Sequence, residues 1–151
     1  LNRGVAFARL RLPAARADFD RVLALDPGLS EAYVLRASVR DAGGDVRGAA
    51  DDLTAALAAG ASPVRVHLLR AHARDRLKDK AGAAADREAA ATITPTDEPG
   101  WVARGESRVA RDPAGALADA EEALKLNPLS APAMQLKAHL LAEHLGRPAE
   151  A

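Results

Sequence analysis

The sequence predicts an all-α chain of stacked helix pairs, and three observations predict it. An arginine recurs as Arg3, Arg36, Arg70 and Arg104, then as Lys137, and a small residue always follows it: Gly4, Ala37, Ala71, Gly105, Ala138. A second ladder runs Ala15, Ala49, Ala83, Ala116, and a third runs Asp18, Asp52, Asp86, Asp119. The irregularities fall in the turns: Arg3 to Ala15 and Arg104 to Ala116 span twelve residues, while Arg36 to Ala49 and Arg70 to Ala83 span thirteen. Self-similarity at this period marks stacked repeats, in which each unit buries its face against its neighbours.

Five units follow in order, about 1–28, 29–62, 63–96, 97–129 and 130–151, three fuller ones flanked by partial ones and all in a single domain. Unit one enters its first helix late, over about 1–10, and Pro13 opens its second, since a first-turn proline gives up an N–H that has no partner there. Asp26-Pro27-Gly28 stops that helix. Ser30 is expected to cap the next one through its side-chain oxygen. Gly43-Gly44 is the turn within unit two, and Asp45 the next cap. Ser62-Pro63 opens unit three as a cap followed by a first-turn proline, and Thr94-Pro95 ends it. Unit four starts at Asp97, turns at Asp112-Pro113 and ends at Asn127-Pro128. Ser130 caps unit five, whose first helix is expected to reach about residue 145. The pattern begins partway through a helix at Leu1, so a longer natural chain is expected.

Composition narrows the function classes. Aromatics make up 3% of the chain, too few for an ordinary globular core but enough for alanine-packed helices. Lys plus Arg and Asp plus Glu both number 21, and this balance argues against nucleic acid and against a membrane surface as partners. No apolar run approaches the roughly 18 residues of a membrane-spanning helix. Without cysteine there is no disulfide and no thiolate metal site. The compartment stays open, with the cytoplasm slightly favoured.

The Arg36-Ala37…Ala49…Leu53…Ala56 spacing, with Trp101 starting a unit and Pro27, Pro95 and Pro128 closing three, resembles the tetratricopeptide repeat family. The resemblance covers nearly the whole chain. It departs from the family pattern at Arg87, where a large apolar residue is usual, and at Gly60-Ala61, where unit two lacks a closing proline. The resemblance implies an α-solenoid, a right-handed superhelix of antiparallel helix pairs whose first helices line a concave groove.

Chemistry-bearing patterns are few. The arginine and aspartate ladders read as ties between the two helices of a unit, because a planar guanidinium fork matches a carboxylate and every arginine has its own aspartate. Arg36 should meet Asp52, and Arg70 should meet Asp86, as exposed pairs worth about 0.2–1 kcal/mol each. His67 and His72 lie five apart, as do His139 and His144, which suits neither one helical face nor a metal ion. No nucleophile motif, phosphate-cradling glycine loop or paired-carboxylate spacing is present, so neither enzymatic activity, a cofactor nor a metal is expected.

The remaining candidate is the groove face of the first helices: Val34, Leu35, Ser38, Leu68, Leu69, His72, Val102, Ala103, Glu106, Gln135, Leu136 and His139. An apolar face with a few polar points suits a helix or extended segment of a partner protein. Leu68 and Val102 should be wet there while Ala71 and Gly105 face inward, so glutamate at Leu68 and Val102 should spare folding. Chaperone C-termini are excluded as ligands, because the Lys, Asn and Arg positions of the family's carboxylate clamp fall, from unit two, on Val34, Ser38, Leu69, Pro99 and Ala103. The expectation is a non-catalytic interaction scaffold. The alternatives are a self-assembly module that forms homo-oligomers through open solenoid ends, or a regulatory or targeting domain of a larger enzyme.

Overall fold

The computed structural model describes the backbone of residues 2–144 and the side chains of residues 12–142. Among the described residues it is all-helical. The helices are α1 Asn2–Leu25, α2 Ser30–Ala42, α3 Val46–Ala58, α4 Pro63–Arg76, α5 Lys80–Thr92, α6 Glu98–Arg108, α7 Pro113–Leu126 and α8 Ala131–His139, followed by a π-helical stretch, Leu140–His144. The chain divides into two compact units, Leu1–Ala61 with Leu69–Arg87, and Ser62–Leu68 with Glu88–Ala151. Within each unit, helices adjacent in sequence pack on one another.

A four-residue signal, Asp-x-x-Gly, starts four of these helices. The carboxylates of Asp45, Asp79, Asp97 and Asp112 accept from the backbone N–H of Gly48, Gly82, Gly100 and Gly115 at 2.9, 2.9, 2.7 and 2.9 Å. Each bond satisfies one of the N–H groups that a helix start leaves without an intrahelical acceptor. A Cβ at the glycine would come within 2.0–2.7 Å of the capping carboxylate as it stands, so glycine lets that carboxylate seat closely over the helix start. The two longer turns reverse through a left-handed residue just before the cap, Gly44 at φ 88° and Lys78 at φ 63°.

One expectation about a helix start and one about a turn are corrected. Ser30 is the first residue of α2 rather than its cap; Leu29 stands at the cap position, with no side-chain cap bond. The Ser62 hydroxyl donates to the carboxylate of Asp97 at 2.8 Å, linking the starts of two units. The turn expected before Pro13 is absent, and α1 runs unbroken from Asn2 to Leu25 with Pro13 inside it. The sequence supplies the reason: the positions that hold Asp and Gly in units two, three and four hold Arg11 and Ala14 in unit one. Without the capping carboxylate, the first N–H groups of a second helix would lack the acceptor that the other units supply. The second helix expected in unit five lies outside the described residues.

The cores are built mainly from alanine. In the first compact unit Ala37, Ala49, Leu53, Ala56, Ala71 and Ala83 are all buried. In the second, Ala116 and Ala120 pack with Leu136 and Leu140, and Val102 packs with Ala123 and Ala133. Small side chains let paired helices approach closely. A Cβ on Gly105 would come within 3.2 Å of the carbonyl oxygen of Ala116 and 2.7 Å of Leu136 Cδ2.

Candidate functional site

The charge ladder is a set of buried clamps. Arg36 donates through Nε and Nη2 to the two carboxylate oxygens of Asp52 at 2.9 and 2.6 Å. Arg70 grips Asp86 in the same way at 3.0 and 2.7 Å, and Arg104 grips Asp119 at 3.1 and 2.7 Å. The side chains of Asp52, Asp86 and Asp119 are only 4, 2 and 3% exposed, so the expectation of weak surface pairs is corrected. A carboxylate taken out of water is tolerated only when its lone pairs are answered.

A second arginine, one helical turn on, completes each answer. Arg40 lies 3.3 Å from Asp52, Arg74 donates to Asp86 at 2.8 Å, and Arg108 donates to Asp119 at 3.0 Å. Residues four apart share a helix face, so both cations reach one carboxylate. Arg40 and Arg74 also donate to the carbonyls of Gly48 and Gly82, tying each turn to the helix before it. These second arginines, four residues after Arg36, Arg70 and Arg104, repeat with the ladder and are legible in the sequence.

The first arginine of a unit also reaches back to the preceding helix. Arg36 donates to Asp20 at 2.7 Å, Arg70 to the Thr54 hydroxyl at 3.0 Å, and Lys137 to Glu121 at 3.2 Å. Tyr33 and Trp101 stack beneath Arg36 and Arg104 at 5.5 and 4.6 Å. The hydrogen bond to Asp52 raises the Arg36 guanidinium above its ordinary value; partial burial opposes this, and Asp20 adds to it. With their hydrogen bonds spent inside the fold, these cations form no basic stripe for an acidic ligand. The first rung differs: Arg3 lies outside the residues whose side chains are described, and Asp18 is exposed and pairs only loosely with Arg21 at 3.6 Å.

The candidate groove residues separate by helical phase. Leu35, Ser38, Leu69, His72, Glu106, Gln135 and His139 are exposed, and Leu68 and Ala103 are half-buried. Val34, Val102 and Leu136 are buried, which corrects their assignment to the groove. Val102 turns into the α6–α7–α8 core, and Leu136 lies over Gly105. Ala71 and Gly105 face inward as expected.

Three of the exposed candidates converge. Ser38, Leu69 and His72 line a cleft of about 190 Å³ in the first compact unit, together with Ala37, Asp41, Ala42, Ala49, Leu53 and Ala73. The walls are apolar, and the polar groups stand at the rim: the Ser38 hydroxyl donates to the Val34 carbonyl, and Asp41 is paired with Arg76. One residue of the cleft lining is small where the second compact unit has a large one. Counting from Arg70 and Lys137, Ala73 matches Leu140, and in the second compact unit Leu140 is fully buried against Ala116 and Ala120. In the first unit the sizes are exchanged, with Ala73 and Leu53 lining the cleft where the second unit has Leu140 and Ala120.

Among the described residues no group of three or more His, Asp or Glu side chains could hold a metal ion, and no helix is long and apolar enough to cross a membrane. Searches against protein-family models and against curated proteins return no match.

Proposed function

We propose that this chain is a non-catalytic protein-interaction scaffold of the tetratricopeptide type, a right-handed helical solenoid that takes a peptide or helix of a partner along its first helices. The observation that carries this reading is the cleft among Ala37, Leu53, Leu69 and Ala73, whose apolar walls and polar rim suit one aliphatic side chain flanked by backbone. Leu140 indicates the size of the anchor, since a leucine fills the matching space in the second unit. The exposed Ser38 and His72 offer hydrogen-bonding groups to the flanking backbone.

The test is selection of a displayed random-peptide library on the wild-type chain, with counter-screening on Ala73→Leu. Peptides enriched on the wild type should share a Leu, Ile or Met anchor and lose at least tenfold in affinity on the variant, because desolvated apolar anchors dominate such interfaces. Equal binding to both proteins, or no enrichment, would move the site away from the cleft.

A further inference from the structure

The cleft has two unlike walls. Ser38 and Asp41 stand on the α2 wall and His72 on the α4 wall, and Arg76, one helical turn past His72, reaches across to Asp41. The α2 wall offers acceptors. The Ser38 hydroxyl spends its hydrogen on the Val34 carbonyl, which leaves the oxygen to accept, and the Asp41 carboxylate has only acceptors to give. The α4 wall offers donors. Arg76 donates to Asp41 through Nη1 and keeps its other N–H groups, while the imidazole of the exposed His72 brings at least one more. The Asp41 and Arg76 side chains are 32 and 41% exposed, so their pairing leaves both within reach of a ligand.

Acceptors on one side and donors on the other are what an extended backbone answers, since its N–H and C=O groups point sideways while its side chains alternate up and down. The spacing fits as well. Residues two apart in an extended chain face the same side, about 6.6–6.8 Å apart. Ser38 and Asp41 stand about 4.5 Å apart along α2, and His72 and Arg76 about 6 Å apart along α4. A helix answers neither wall. Its N–H and C=O groups are spent internally, and it seats on a row of anchors at i, i+3, i+4 and i+7, where this cleft takes one side chain. Taking the cleft as the docking site proposed above, we infer that the partner segment binds extended rather than helical. One aliphatic side chain enters the cleft, and the main chain beside it donates to Ser38 and Asp41 on one wall and accepts from His72 and Arg76 on the other.

Two displayed libraries, each selected on the wild-type chain and counter-screened on Ala73→Leu, test this. One holds linear peptides barred from helix by a fixed internal proline, and the other holds randomised faces of a stable helix. The linear library should yield binders that lose at least tenfold on Ala73→Leu, and the helical library should yield none as tight. In the best linear binder, N-methylating the amides beside the anchor one at a time should cost at least fivefold at one position, because the methyl removes a donor. Ser38→Ala with His72→Ala should weaken the unmodified peptide at least fivefold and leave the thermal melt unchanged. Helical binders as tight as the linear ones and equally sensitive to Ala73→Leu would keep the cleft as the site and overturn the extended mode. Methylated peptides that bind like their parent would overturn it too. Failure of both libraries to give a binder sensitive to Ala73→Leu would remove the cleft itself, and the extended mode with it.

Discussion

Asp119→Asn tests whether the ladder is a set of buried clamps. The carboxylate accepts three hydrogen bonds, two from Arg104 at 3.1 and 2.7 Å and one from Arg108 at 3.0 Å. Asparagine keeps the shape but offers one acceptor oxygen and turns an NH₂ towards a guanidinium N–H. Hydrogen bonds to charged groups contribute about 1.5–3 kcal/mol each, and removing one partner of a buried pair costs about 3–5 kcal/mol. Two features reduce the loss. The asparagine oxygen still answers one donor, and Arg108, at 36% exposure, can turn to water. The expected destabilisation is about 2–4 kcal/mol, most of it from the buried cation and amide left facing each other. Urea unfolding of both proteins, extrapolated linearly to water, measures it. Glu122→Gln is the reference, because its pair with Lys125 is exposed on both sides and such pairs contribute about 0.2–1 kcal/mol. Equal small losses for both variants would refute the buried clamp. Arg104→Met with Asp119→Leu should recover part of the loss, since an apolar pair of similar volume removes the desolvation penalty.

Further outcomes follow from burial. Val102→Glu should abolish cooperative unfolding, because an unpaired carboxylate would enter the Ala123–Ala133 core, whereas Leu69→Glu, on the cleft rim, should leave the melt nearly unchanged. Ala83→Leu should cost about 1–3 kcal/mol through overpacking at a fully buried contact, while the same change at the exposed Ala58 should be near neutral in denaturant titration. Thr54→Asp should add a carboxylate opposite Arg70, as Asp20 stands opposite Arg36, and raise stability by about 0.2–1 kcal/mol in a form that about 1 M salt removes. The raised Arg36 value means that its contribution is complete below the unfolded guanidinium value and fades only as pH rises through the folded one. Titration between pH 6 and 9 should therefore leave this clamp unaltered.

By itself the sequence determined whatever repeats. Helix starts at Asp45, Asp97, Asp112 and Ser130, the inward alanines at 49, 83 and 116, and the pairing of Arg36, Arg70 and Arg104 with their aspartates all follow from one period, because each needs only local chemistry or the nearest helix. Tertiary structure alone decided what depends on the rotation of a helix against its neighbours. Val34 and Leu35 are adjacent in sequence and equally apolar, yet one is buried and the other 41% exposed, since successive residues stand about 100° apart and packing chooses the phase. The depth of burial of Asp52, Asp86 and Asp119 was hidden for the same reason: a carboxylate looks alike on a surface and beneath two guanidinium groups. The cleft at Ala73 and the continuity of α1 are differences between units: Ala73 stands where the second unit has Leu140, and Arg11 stands where other units have a capping aspartate. Each became visible only where one unit could be compared with another.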